Sequence, residues 1–201
     1  MDRSNGYEQV ATAFLAGRGG PATAGIGATT VRAWARTLPP GVAVLDLGCG
    51  SGVPITQVLI EEGFDVYGID ASPSLAAAFR DRFPNAHIAC EAVEDSAFFD
   101  RSFDAVIAWG LMFVLPAPSQ FSLLERIGEV LVPGGRLLFT SSVRAGTWLD
   151  AMTGRNCQSL GRKAYLEQLG RVGLVLHQEY DDEGKNHYYD VLKTSTAGTR
   201  R

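Results

Sequence analysis

The run Val44-Leu45-Asp46-Leu47-Gly48-Cys49-Gly50-Ser51-Gly52 concentrates the chemistry of this chain. An aliphatic stretch carries one acid, Asp46, and glycines then occupy alternate positions. A strand that enters a tight turn and opens a helix has this form. Such a turn needs glycine for positive φ and to let a ligand approach the backbone. A second apolar run, Val66-Tyr67-Gly68-Ile69, also ends in an acid, Asp70. An acid at the end of a second strand can bind both hydroxyls of a ribose. Two acids at successive strand ends, with a glycine turn between them, point to a nucleoside-containing ligand.

Two cofactor chemistries compete for that pattern. The dinucleotide fingerprint G-x-G-x-x-G/A uses its third small residue to pack helix against strand. Counted from Gly48 that position is Val53, and counted from Gly50 it is Ile55. Neither is small, which opposes an NAD(P)-dependent oxidoreductase. The observed pattern is D-x-G-x-G-x-G, with the acid inside it. It resembles motif I of the class I S-adenosylmethionine-dependent methyltransferases. An acid suits the amino group of that cofactor and would repel a pyrophosphate. Two further stretches carry the resemblance. Phe103-Asp104-Ala105-Val106-Ile107 is similar to the family's fourth strand, and Leu131-Val132-Pro133-Gly134-Gly135-Arg136-Leu137 to its turn into the fifth. The likeness extends from Val42 to Lys193.

The resemblance implies an α/β fold, a three-layer Rossmann-like sandwich. Its seven-stranded, mostly parallel sheet has the order 3-2-1-4-5-7-6, strand 7 being antiparallel, and two helices precede it. It implies methyl transfer from S-adenosylmethionine to an unidentified small-molecule acceptor by direct displacement, with S-adenosylhomocysteine as product. A protein that binds this cofactor without catalysis is the remaining alternative. Asp46 and the backbone of Gly48, Cys49 and Gly50 are expected at the amino-acid end, Asp70 at the ribose and Ala71 beside the adenine. The third-strand exit, Glu91-Ala92-Val93-Glu94-Asp95, is expected to contact the adenine. Measured from the third strand the contacting acid is Glu91. Measured back from Phe103-Asp104, Ala92 and Val93 fall at that place and Glu94 follows. Trp109 is expected beneath the reactive sulfonium, where an aromatic face favours a cation.

On the acceptor side, the same topology brings His187 and Tyr188 to the pocket, with the loop Asp181 to Asn186. Thr147, Trp148 and Asp150 follow the fifth strand, and Tyr7 and Phe14 form a candidate lid. Methyl transfer needs a base only if the acceptor must lose a proton. His187 is the candidate base because imidazole titrates near neutral pH; Asp182 and Glu183 are its rivals. The acidic hairpin suits an amine-bearing acceptor and Arg18 an acidic one, so the charge of the acceptor stays open.

These groups need elements to position them. Tyr7, Val10, Ala11, Phe14 and Leu15 have helical spacing, predicting a helix from Asn5 to about Gly17. A second helix is predicted from Thr23 to Leu38, with Ile26, Thr30, Ala33, Trp34 and Leu38 inward. Predicted strands are Ala43 to Leu47, Asp65 to Ile69, His87 to Cys90, Phe103 to Trp109 and Arg136 to Ser141. Helices from Pro54 to Glu62, from Ser72-Pro73 to about Phe83, and from Ser119 to Leu131 alternate with them. A helix from Arg162 to Val172 precedes strands at Leu174 to Tyr180 and His187 to Leu192. Two strands joined by so short a loop are antiparallel. The expected division is one domain over 1–194: a helical cap at 1–40, a cofactor half at 42–142 and a substrate half at 143–194. A disordered tail is expected at 195–201.

Composition bounds the rest. A chain of 201 residues supports one good core. Its formal net charge of −4, without a basic run, does not favour nucleic acid. No apolar run reaches the length of a membrane span, and the N-terminus has no secretory pattern. The 3 cysteines, Cys49, Cys90 and Cys157, form neither a disulfide framework nor a zinc pattern. No metal site is expected, and a reducing cytoplasm is the natural location. Oligomeric state is not set by the sequence.

Overall fold

The computed structural model describes residues 3–18 and 25–194. Its elements in chain order begin with α1 (Ala11–Arg18), α2 (Ala28–Ala35), β1 (Ala43–Leu47), α3 (Ile55–Glu61), β2 (Asp65–Asp70) and α4 (Pro73–Arg82). They continue with β3 (His87–Cys90), β4 (Phe103–Ala108), α5 (Ala117–Val130), β5 (Leu131–Thr140), β6 (Gly146–Leu149) and β7 (Asn156–Ser159). The last are α6 (Arg162–Arg171), β8 (Leu174–Asp181) and β9 (His187–Lys193).

Seven strands form one sheet in the order β3-β2-β1-β4-β5-β9-β8. β1 runs parallel to β2 and β4, and β4 to β5. β9 is antiparallel to both β5 and β8. With β6 and β7 set aside as a separate two-stranded sheet, this is the expected order with its antiparallel last strand. β1 is buried at every position, as a strand covered on both faces must be. Its pleat sends Leu45 and Leu47 to one core with α5 and α6, and Val44 to another with α2 and α3. Helices on both faces of the sheet make the three layers.

Local chemistry sets the ends of the elements. Ser72 caps α4: its hydroxyl accepts the Leu75 N–H at 3.2 Å, and Pro73 takes the first helical position. A buried carboxylate fastens the far edge. Asp190, fully buried, accepts from Trp34 of α2 (3.2 Å), from Arg136 of β5 (2.5 and 3.1 Å) and from Gln178 of β8 (3.1 Å).

Four local expectations are corrected. The first helix begins at Ala11, not Asn5, because Asn5 and Gly6 have φ of 56° and 88°, outside the helical region. The second helix begins at Ala28; its predicted start, Thr23, lies outside the described residues. Its inward face is Val31, Trp34, Ala35 and Leu38, while Ala33 is exposed. β5 starts at Leu131 and passes through Pro133-Gly134-Gly135 with a register shift against β4. The β6–β7 hairpin was not expected at all. The four residues of β6 are exposed, so no apolar alternation marks it. The predicted tail at 195–201 lies outside the described residues.

Candidate active site

Ligands in open α/β sheets bind beyond the carboxyl ends of the strands, where the strand order reverses. Here that point lies between β1 and β4. A cavity of about 250 Å³ opens there. Its wall includes Asp46, Gly48, Cys49, Gly50, Asp70 and Ala71 from the first two strand ends. Ala92, Val93 and Glu94 come from the third exit, Trp109 and Gly110 from the fourth.

The glycine turn is tied to the neighbouring strand. Gly48 and Cys49 donate their N–H groups to the Ile69 carbonyl at 2.8 and 3.1 Å. Gly50 donates its own to Asp70 Oδ2 at 2.8 Å, at a φ of 56° that favours glycine. Those three donors are therefore engaged within the protein. At Gly52 a Cβ would stand 2.4 Å from the Phe83 ring, so the fourth position of the motif must also lack a side chain.

The two acids face the cavity from different settings. Asp46 is 1% exposed, and Oδ2 accepts the Thr56 hydroxyl at 2.5 Å. Burial pushes its carboxyl up to about 7, against the Thr56 hydrogen bond and aided by the neighbouring Asp70 charge. Asp70 accepts the Gly50 N–H on one oxygen and the Ser72 N–H, at 2.8 Å, on the other. Burial raises its carboxyl as well; those two hydrogen bonds oppose the shift and Glu8 adds to it. Two desolvated carboxyls in one cavity make a site that a cationic ligand would relieve. Burial pushes the Cys49 thiol well above its ordinary value, with Asp46 and Asp70 adding to it, so it is no nucleophile.

The third exit follows the second of the two alignments. Glu91 is not on the cavity wall, whereas Ala92, Val93 and Glu94 are. Arg126 of α5 explains the loop's course. Its guanidinium donates to the carbonyls of Val93 (2.7 Å), Glu94 (3.1 Å) and Ser96, and lies 4.2 Å from the centre of the Phe98 ring. Nothing in the sequence marked Arg126, whose partners are backbone atoms some thirty positions away.

The acceptor side is rearranged more. His187 and Tyr188 do not line the cavity; Asn186 does. Alternation along β9 is the reason. His187 faces the α6 side with Tyr189, its Nδ1 2.7 Å from Asp181 and its Nε2 3.9 Å from Glu179. Tyr188 faces the α2 side, where its hydroxyl accepts the Trp109 indole N–H at 2.6 Å and donates to Asp182 at 2.9 Å. Trp148 is 39% exposed and reaches the site only through Phe113, which lines the cavity 5.7 Å away. The Arg18 side chain lies outside the described residues.

The N-terminal segment spans the cavity mouth. Tyr7 and Phe14 line it, in edge-on contact at 5.6 Å. Arg3 pairs with Asp95 (3.2 Å) and Glu94 (3.7 Å), and Asn5 donates to the Val114 carbonyl. Glu8 accepts from the Ser72 and Ser74 hydroxyls at 2.5 and 2.7 Å. Tyr7 donates to Asp150 at 3.1 Å. The segment thus touches the loops after β2, β3, β4 and β6. Spacing suggested Tyr7 and Phe14; Glu8 and Asn5 had no sequence signal.

Residues 44–135 match the profile of a family described as "Methyltransferase domain". An uncharacterized methyltransferase of Synechocystis sp. is 34% identical over 113 residues, covering 56% of this chain and 52% of that protein. The chain spans about half the length of that relative or less of the others that head the list of curated matches. A TehB-like S-adenosylmethionine-dependent methyltransferase from Corynebacterium glutamicum superposes with a TM-score of 0.72 at 23% identity, covering 94% of this chain and 98% of that one. The 1,6-didemethyltoxoflavin-N1-methyltransferase of Burkholderia thailandensis, solved with 1,6-didemethyltoxoflavin and S-adenosylhomocysteine, gives 0.68 at 20% identity, over 84% of this chain and 79% of that one. At these identities the two structures share the fold. Among the described residues, no helix is long and apolar enough to cross a membrane.

Proposed function

We propose that this chain, whose residues 44–135 match a methyltransferase domain, moves a methyl group from S-adenosylmethionine to a small-molecule acceptor. One observation carries the reading. Asp46 and Asp70, at the ends of adjacent strands, stand on one cavity wall, and the Gly50 N–H joins the glycine turn to Asp70.

The residues present fit the cofactor. Asp46 and the turn's carbonyl oxygens offer acceptors to an ammonium group. Asp70, each oxygen oriented by one backbone N–H, keeps lone pairs for two ribose hydroxyls. Ala71 would border the base, the Val93 N–H would be offered to a ring nitrogen, and Glu94, which lines the cavity where Glu91 does not, would take the exocyclic amine. Trp109 presents its ring where positive charge sits. When bound, the cofactor supplies an activated methyl group with a good leaving group. The chain's own part is to orient the acceptor and exclude water, the segment 3–18 closing the mouth. His187 has no part in this reading, and neither do Asp182 and Glu183.

A small acceptor suits the closed mouth, and the Burkholderia structure holds one beside S-adenosylhomocysteine. Calorimetric titration with S-adenosylmethionine, S-adenosylhomocysteine and NADH in parallel tests the proposal. Saturable binding of the first two and none of NADH is expected. Binding of NADH alone would overturn the reading.

A further inference from the structure

Besides the residues given to the cofactor, the cavity wall includes Tyr7, Phe113, Asp150 and Asn186. Two of these are aromatic, and each is braced by a second ring, Tyr7 by Phe14 and Phe113 by Trp148. Braced aromatic faces suit a planar ring system.

One carboxylate interrupts this wall. Asp150 Oδ1 accepts the N–H groups of Met152 (2.9 Å) and Thr153 (2.8 Å), and Oδ2 accepts the Tyr7 hydroxyl. Burial works to raise its carboxyl, but these donors outweigh it and hold the group below its ordinary value. Asp150 is therefore a fixed anion. Asn186 has its amide nitrogen engaged by both oxygens of Asp182. Among the described residues, no cation lines this half. Arg3, on the wall of the other half, is paired with Glu94 and Asp95, and Arg155 packs against Gly6 without lining the cavity. With Asp46 and Asp70 nearby, an entering anion would meet three carboxyl groups and, among the described residues, one cation already paired.

We propose that Asp150, held by the Tyr7 hydroxyl, recognises the acceptor, and that the acceptor is a planar aromatic molecule, uncharged or cationic, bearing a hydrogen-bond donor. A carboxylate or phosphate ester would be repelled by Asp150. The proposal rests on the methyl-transfer reading above. Asp150 acts as a handle, its two oxygens already oriented by the Met152 and Thr153 N–H groups and the Tyr7 hydroxyl. An ammonium bound to it keeps its proton, so the methyl group goes to another atom of the same molecule.

The test uses two probes that share a phenol ring and differ in charge: tyramine and 4-hydroxyphenylacetate. Each is titrated calorimetrically into wild-type and Asp150→Asn protein saturated with S-adenosylhomocysteine. Tyramine is expected to bind wild type about tenfold or more tighter than the carboxylate, and Asp150→Asn to collapse that difference. Equal binding, reversed preference, a preference that survives Asp150→Asn, or no binding of either probe overturns the proposal. Failure of S-adenosylhomocysteine itself to bind, seen in the loading step, would instead overturn the methyl-transfer reading.

Discussion

Trp109 donates its indole N–H to the Tyr188 hydroxyl across 2.6 Å, joining the exit of β4 to the antiparallel strand β9. Tyr188 is fully buried and donates its own hydroxyl hydrogen bond to Asp182. The ring expected beneath the sulfonium is thus oriented by a residue outside the cavity. Tyr188→Phe should release the indole and weaken the preference for S-adenosylmethionine over its uncharged product. A cation over an aromatic face is worth about 0.5–2 kcal/mol, or roughly two- to thirtyfold in that ratio. Paired titrations with both ligands read the ratio. An unchanged ratio in both Tyr188→Phe and Trp109→Leu would remove Trp109 from the sulfonium.

Asp70→Ala should remove one or two charge-assisted hydrogen bonds to the ribose, each about 1.5–3 kcal/mol. Affinity for S-adenosylmethionine should fall about tenfold or more. Glu91→Ala should leave it unchanged, while Glu94→Ala should lower it. If the last two results are exchanged, the adenine lies against the other end of the loop.

The Asp46 carboxyl, pushed up to about 7, couples cofactor binding to pH. An ammonium group favours the ionised form, so binding must displace a proton wherever Asp46 is protonated beforehand. Affinity should be flat above about 7 and decline below it, approaching tenfold per pH unit. Removing the Thr56 hydrogen bond, which opposes the shift, should move the decline to higher pH. The free protein shows the opposite trend from this group. Its folded carboxyl lies above the ordinary 3.8, so the native state holds more protons between 3.8 and about 7, and stability falls as pH rises through that window. Titrations in buffers of different ionisation enthalpy count the proton released; a count of zero at pH 6 would refute the linkage.

Asp190→Ala should destabilise the fold far from the cavity. It strands the Arg136 guanidinium, 15% exposed, and frees the Trp34 and Gln178 donors. Breaking one partner of a buried pair costs about 3–5 kcal/mol. Urea unfolding should show this loss, with cofactor affinity retained in the surviving native protein. A loss below about 1 kcal/mol would mean that water replaces the carboxylate.

The sheet order and the cofactor-side wall were legible in the sequence because their determinants are local. Asp46 and its glycines form one continuous turn, and Asp70 closes the next strand, so the parallel register of β1 on β2 brings them together without help from distant residues. The third exit and the acceptor side were not legible, for three physical reasons. Alternation on β9 decides which of two adjacent residues faces which layer, and the slip of one residue exchanges His187 for Tyr188. The course of loop 91–95 is fixed by Arg126, a single guanidinium bound to carbonyl groups that carry no sequence signature. The β6–β7 hairpin has no buried face on β6, hence no hydrophobic period there, and it is held by residues distant in sequence, among them Tyr7 at Asp150, Phe113 at Trp148 and Gln120 at the Gln158 carbonyl. Spacing determined the turn and its acids, and the resemblance carried by three motifs implied the order of strands around it; which side chains face the acceptor was decided by long-range packing.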